Sequence, residues 1–172
     1  MRGPLLSVIV LGAGLLISCT PRVQPGVSSP ALAGEEIRIS RGPCFGFCPI
    51  YTVAVTPGGL VGFSGKRHTA VIGERARAAG PAGYEGLRKA LAPLRPDTGT
   101  ERALPCTLQA TDMSQFTAEW VAADGTRTAL TWNLGCRGKA ATRLGRTVEE
   151  QLRQLGVDGW AAQKTWPGDT RG

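Results

Sequence analysis

Residues 42–51 read Gly-Pro-Cys-Phe-Gly-Phe-Cys-Pro-Ile-Tyr, two cysteines, two prolines and three aromatics immediately ahead of an alternating run. A block of this composition is a constrained loop feeding a strand. Its sulfur chemistry depends on the compartment, so the N-terminus is read first.

Residues 1–18 have the plan of a secretory signal. Arg2 supplies a short positive region, and Leu5 to Ile17 form an apolar stretch too short for an ordinary transmembrane helix of about 20 residues. It ends in Leu16-Ile17-Ser18-Cys19, which resembles a bacterial lipobox. That resemblance implies cleavage before Cys19, a diacylglycerol thioether on its sulfur and acylation of the new amine. Several acyl chains anchor stably where one does not. Thr20 follows the cysteine, and the lack of Asp there favours the periplasmic face of the outer membrane. Residues 19–35, rich in Pro, Gly, Ser and Ala, read as the lipidated cysteine and a flexible tether. Residues 36–160 then make one domain, and 161–172 read as a C-terminal tail.

The net charge of +7 includes Arg2. The remaining basic residues are scattered from Arg22 to Arg171 with no dominant run, so a solvated basic surface is expected and nucleic acid is not expected as a partner. The membrane, through the lipid anchor, is the first expected partner. An envelope protein or ligand is the second.

Lipidation of Cys19 leaves Cys44, Cys48, Cys106 and Cys136. An even number in an oxidising compartment reads as disulfides, and the pairing expected is Cys44–Cys48 with Cys106–Cys136. A turn at Gly46 brings the first pair within reach. The second pair flanks a hairpin, whose two ends lie close together. The competing reading for Cys-x-x-x-Cys-Pro is a thiol-redox or copper site. It needs a distant histidine and a βαβ scaffold, whereas His68, the sole histidine, lies just twenty residues on, separated from the loop by strand-like sequence and not by a βαβ unit. A four-cysteine zinc site has the ligand count but not the spacing. No metal or cofactor is expected.

The patterning is α+β: an antiparallel sheet built from hairpins, with two helices packed on one face. Ile37 and Ile39 alternate with polar neighbours, as do Tyr51, Val53 and Val55, and Pro57-Gly58-Gly59 turns the chain into Leu60 to Ser64. Gly65 to Val71 is expected to continue the sheet after a bend. Tyr84, Leu87, Leu91 and Leu94 have helical spacing, with Pro93 distorting the last turn and Pro96 ending the helix. Phe116 to Ala122 and Thr126 to Trp132 flank an Asp124-Gly125 hairpin signal. A second helix over Lys139 to Leu155 buries Leu144, Val148, Leu152 and Leu155, carries Arg146–Glu150 and Glu149–Arg153 at i, i+4, and stops at Gly156. The order suggests two hairpin-plus-helix halves.

Ile39-Ser40-Arg41 leading into Pro43 to Tyr51, the hairpin with Gly59, Gly65-Lys66-Arg67 and Thr111-Asp112 together resemble a bacterial family known as domain of unknown function 6438. The resemblance spans about residues 36–155. It implies a small envelope-associated α+β domain, often on lipoproteins, and supplies no reaction or ligand. The Cys106–Cys136 pair looks like an elaboration of the family pattern.

No catalytic constellation is legible. A Ser/His/Asp set has His68 as its only base, and no Gly-x-Ser-x-Gly elbow precedes a helix. The acidic pairs Glu35-Glu36 and Glu149-Glu150 fall in a tether and on an outer helix face. Asp112 reads as a turn or cap residue, and His68 as an exposed strand histidine. The expectation is therefore a non-catalytic binding or accessory module, with Phe45, Phe47, Lys66, Arg67 and His68 as its surface. If both phenylalanines turn inward the loop is a plug; if both face solvent it is a docking ledge.

Overall fold

The computed structural model describes residues 34–166. The signal segment, Cys19, the tether up to residue 33 and residues 167–172 lie outside the described residues.

The alternation read in the sequence becomes a seven-stranded sheet in the order β4-β3-β2-β1-β6-β7-β5. Its strands are β1 Glu36–Arg41, β2 Ile50–Val55, β3 Leu60–Arg67, β4 Gly73–Ala78, β5 Glu101–Ala103, β6 Gln115–Val121 and β7 Arg127–Asn133. All neighbours are antiparallel except β5, which pairs with β7 in parallel. The first half is thus a four-stranded meander and the second a hairpin plus one parallel strand, joined where β1 meets β6. They are not two equal hairpin halves.

Because side chains alternate across a strand, Ile37, Ile39, Val53, Val55, Val61, Phe63, Phe116, Trp120, Leu130 and Trp132 all fall on one face and are buried. Two helices cover that face: α1 Gly80–Leu91 and α2 Lys139–Gln154. Tyr84, Leu87 and Leu91 of α1 and Leu144, Val148 and Leu152 of α2 supply its lid. Pro93 sits in a single 3-10 turn, Ala92–Leu94, that closes the first helix. Gly156 follows the second with φ +69, where a glycine cap is favoured. Among the described residues no helix covers the opposite sheet face. Along one register row it carries Ser64, Thr52, Ser40, Thr117 and Thr131, with Ser40 and Thr52 hydroxyls 3.0 Å apart.

Four expectations are corrected. The sheet does not continue to Val71: β3 ends at Arg67, the chain turns at His68 and returns as β4. β4 escaped the periodicity argument because its side chains, Gly-Glu-Arg-Ala-Arg-Ala, are almost all exposed. It is an edge strand, and Arg75 and Arg77 stand opposite the core residues Phe63 and Val61, an inward-side charge that discourages edge-to-edge association. On α2, Glu150 pairs with Arg153 and Gln154, one turn or less away, in place of the expected i, i+4 partners. The domain also runs past residue 160: after α3, Asp158–Ala161, the Ala162 carbonyl accepts from Ala70 N–H at 2.8 Å and Lys164 N–H donates to the His68 carbonyl at 2.9 Å. Glu35 is likewise docked, its carbonyl taking the Tyr84 hydroxyl at 2.7 Å and its carboxylate the Arg95 guanidinium at 2.5 Å.

The turn at Gly59 requires glycine. Its φ is +78, and a Cβ there would stand 1.9 Å from the Gly80 carbonyl oxygen. Hairpin β2–β3 and the start of α1 are pressed together at that point.

Candidate binding site

The chain enters β2 and leaves β1 at the same end of the sheet, where β3, β6 and β7 also meet their connecting loops. Both disulfides lie at this end. Cys44–Cys48 closes the loop between β1 and β2, with Cα atoms 5.7 Å apart, and Cys106–Cys136 ties the approach to β6 to the exit from β7, at 5.8 Å. Backbone bonds knit the same region: Gly42 N–H to the Gln115 carbonyl at 2.8 Å, Phe45 N–H to the Asp112 carbonyl at 3.1 Å, and Ala110 N–H to the Gly135 carbonyl at 2.9 Å. Asp112 serves as a turn residue, in the left-handed region at φ +64, and its contribution to the loop is the carbonyl. The side-chain oxygen is bonded locally, to Thr111.

The two loop phenylalanines part company. Phe45 is 89% exposed, an aromatic ring at the tip of a disulfide-closed loop. Phe47 is half-buried and meets His68 edge to face, ring centroids 5.3 Å apart. The loop is therefore neither a plug nor a symmetrical ledge. Lys66 and Arg67 are exposed at the end of β3, and Arg67 stands opposite Ile50 where a register shift separates Ile50 from Tyr51.

His68 departs from the sequence reading in one respect. It is not on a strand: it sits just past β3 at φ +58. It does lie beside the loop, because antiparallel pairing of β2 with β3 folds it back against Phe47. A hairpin places residues equidistant from its turn side by side. Among the described residues no group of three His, Cys, Asp or Glu side chains is arranged to hold a metal ion.

Beneath the loop lies a feature that the sequence reading overlooked. Arg41 follows Ile37 and Ile39 at the same period-2 positions, so it points to the helix-covered face where a third apolar residue belongs. Its cross-strand neighbours are Tyr51 on β2 and Phe116 on β6. The guanidinium lies 5.8 Å from the Phe116 ring centroid, a cation–π contact. Burial pushes the Tyr51 phenol up to about 12, opposed by the positive charge of Arg41, reinforced by the negative charge of Glu149 and opposed again by hydrogen bonding from the Arg41 side chain. A small cleft of about 200 Å³ opens here, lined by Arg41, Pro49, Tyr51, Glu149, Asp158 and Gln163 among others. The signal that would have found it was present: an arginine breaking the apolar alternation of a central strand.

A family model described as Domain of unknown function (DUF6438) matches residues 35–155, from the docked glutamate before β1 to the end of α2. No curated protein matches the chain.

Proposed function

The chain belongs to the DUF6438 family, and from that premise we propose that it is a lipid-anchored module of the cell envelope that binds a partner and does not catalyse a reaction. The observation that carries this reading is Phe45. A large apolar ring held in water costs solvation, and here it stands on a loop fixed by a disulfide and by the bond from its own N–H to Asp112. A pre-ordered exposed aromatic loses little conformational freedom on binding, which is the character of an interface hot spot. Exposed Lys66 and Arg67 supply a polar, cationic rim.

Anchoring rests on the lipobox ending at Cys19, and its topological consequence is a domain tethered by residues 19–33 to the periplasmic face of the outer membrane. Two measurements test the proposal. Mass spectrometry of the mature chain is expected to find acyl groups on Cys19, and Cys19→Ala to release the protein from the membrane fraction. Crosslinking in intact envelopes is expected to give a discrete partner adduct through the loop, lost in Phe45→Ala while the fold is retained. An adduct unaffected by that substitution would remove Phe45 from the interface.

His68 beside the loop favours a second reading, periplasmic thiol-redox or copper chemistry at Cys44 and Cys48. A free-thiol count and copper titration on the folded protein decide it: two oxidised pairs that resist mild reductant, with no copper uptake, would eliminate it.

A further inference from the structure

The cleft under the signature loop combines features that a purely structural niche does not need. A central strand turns its third inward position over to a cation, although an apolar side chain there would continue the row of Ile37 and Ile39 without desolvating a charge. Arg41 Nε is buried and has no hydrogen-bond partner among the described residues. Two carboxylates line the same small space, Glu149 from α2 and Asp158 from the start of α3, yet neither closes to an ion pair with Arg41. Opposite charges are thus held facing one cavity and left apart. Arg41 is half-buried, whereas Glu149 and Asp158 are exposed at the mouth. A half-buried charge is normally paired, so it is the guanidinium that lacks a countercharge, and the cleft leaves room for a molecule that supplies one.

The geometry points to the Arg41 cleft as a binding site for a small zwitterion of the α-amino-acid type, free or joined to a larger molecule through its side chain alone. Its carboxylate would meet the Arg41 guanidinium and the Tyr51 hydroxyl, and its ammonium would meet Glu149 and Asp158 at the mouth. Arginine presents a planar fork matched to a carboxylate, and packing against Phe116 holds it in place. The raised phenol remains a neutral donor throughout the physiological range. Gln163, on the segment bonded back to residues 68–71, donates from Nε2 to the Thr165 carbonyl at 2.9 Å and leaves its amide oxygen to accept from the ammonium pole. The volume, about 200 Å³, is below the roughly 300–1,000 Å³ of sites for drug-sized ligands and suits a ligand of amino-acid size. The inference stands apart from the loop-tip interface and from lipid anchoring; it depends only on the residues around Arg41.

The test is titration of the full chain, followed by NMR, with alanine, N-acetylalanine, alaninamide and propionate as probes. Alanine is expected to bind saturably in the range of about 1 mM that a ligand of about six heavy atoms sustains. Blocking either pole should weaken binding at least about tenfold, the loss of one charge-assisted contact. Arg41→Gln should abolish binding, and Glu149→Gln should weaken alanine while leaving propionate unchanged. Should Arg41→Gln fail to fold, Arg41→Lys keeps the charge but loses the fork, and at least about tenfold weaker binding is expected of it. Absence of saturable shifts with every probe, equal binding of alanine and its blocked derivatives, or unaltered affinity in the Arg41 variant that folds would each overturn the assignment.

Discussion

Phe47 and His68 lie on opposite sides of the β2–β3 hairpin, and their rings meet edge to face at 5.3 Å. His68 makes this contact from a left-handed backbone conformation, φ +58, that L side chains rarely adopt. The loop behind the cysteine bridge is thus seated by an aromatic contact bought at some backbone strain. His68→Ala removes the contact and keeps the strain, so a loss of about 1 kcal/mol is expected in urea unfolding. His68→Gly removes both, and should unfold at higher urea than the alanine variant by about 1 kcal/mol of stability. Equal stabilities would show that the conformation costs nothing here.

The disulfides divide the work unequally. Cys106–Cys136 has a sequence separation of 30 and Cys44–Cys48 one of 4. Chain-entropy reasoning assigns about 3.5 kcal/mol to the long closure and about 2 kcal/mol to the short one. The double substitution Cys106→Ser/Cys136→Ser is accordingly expected to lower the unfolding midpoint more than Cys44→Ser/Cys48→Ser. The short-bridge variant should instead lose protection of the Phe45 amide in hydrogen exchange, since that amide is bonded to Asp112 across the loop.

Ser114 is 1% exposed, and its hydroxyl has no partner among the described residues. Its carbonyl, which accepts from Leu134 N–H at 2.9 Å, does not depend on the side chain. An unsatisfied buried hydroxyl costs about 1 kcal/mol or more. Ser114→Ala is therefore expected to hold or raise stability, by up to about 1 kcal/mol in chemical denaturation. A clear loss would mean that the hydroxyl is bonded in solution.

Tyr51 gives a pH signature. Its phenol is raised from 10.0 to about 12 in the fold, chiefly by burial. The folded state therefore keeps a proton that the unfolded chain releases first, and stability falls as pH rises from 10 towards 12. At about 1.4 kcal/mol per pH unit the full effect is on the order of 2–3 kcal/mol. Tyr51→Phe should flatten the alkaline limb of the stability–pH curve relative to the parent chain. Parallel curves for the two proteins would remove Tyr51 as its source.

The alternating runs and the 3.6-residue spacing were enough to read five strand segments, both long helices and the burial of Leu144, Val148, Leu152 and Leu155. Those signals are local and survive without knowledge of partners. β4 was silent because an exposed edge strand has no buried face to impose alternation, and β5 because three exposed residues carry no period at all. The cysteine pairing was legible because turn geometry and hairpin closure restrict it.

The sequence by itself determined that residues 42–51 form a bridged loop leading into a strand, and that the chain has an α+β core. Only the tertiary structure decided where the side chains around the loop lie. Strand register returned His68 to Phe47, left Phe45 in water, and set Arg41 between Tyr51 and Phe116 beneath Glu149. The reason is physical: periodicity reports which face of an element is apolar, whereas a site arises from which elements pair and in what register, and that is fixed by contacts between residues far apart in the chain.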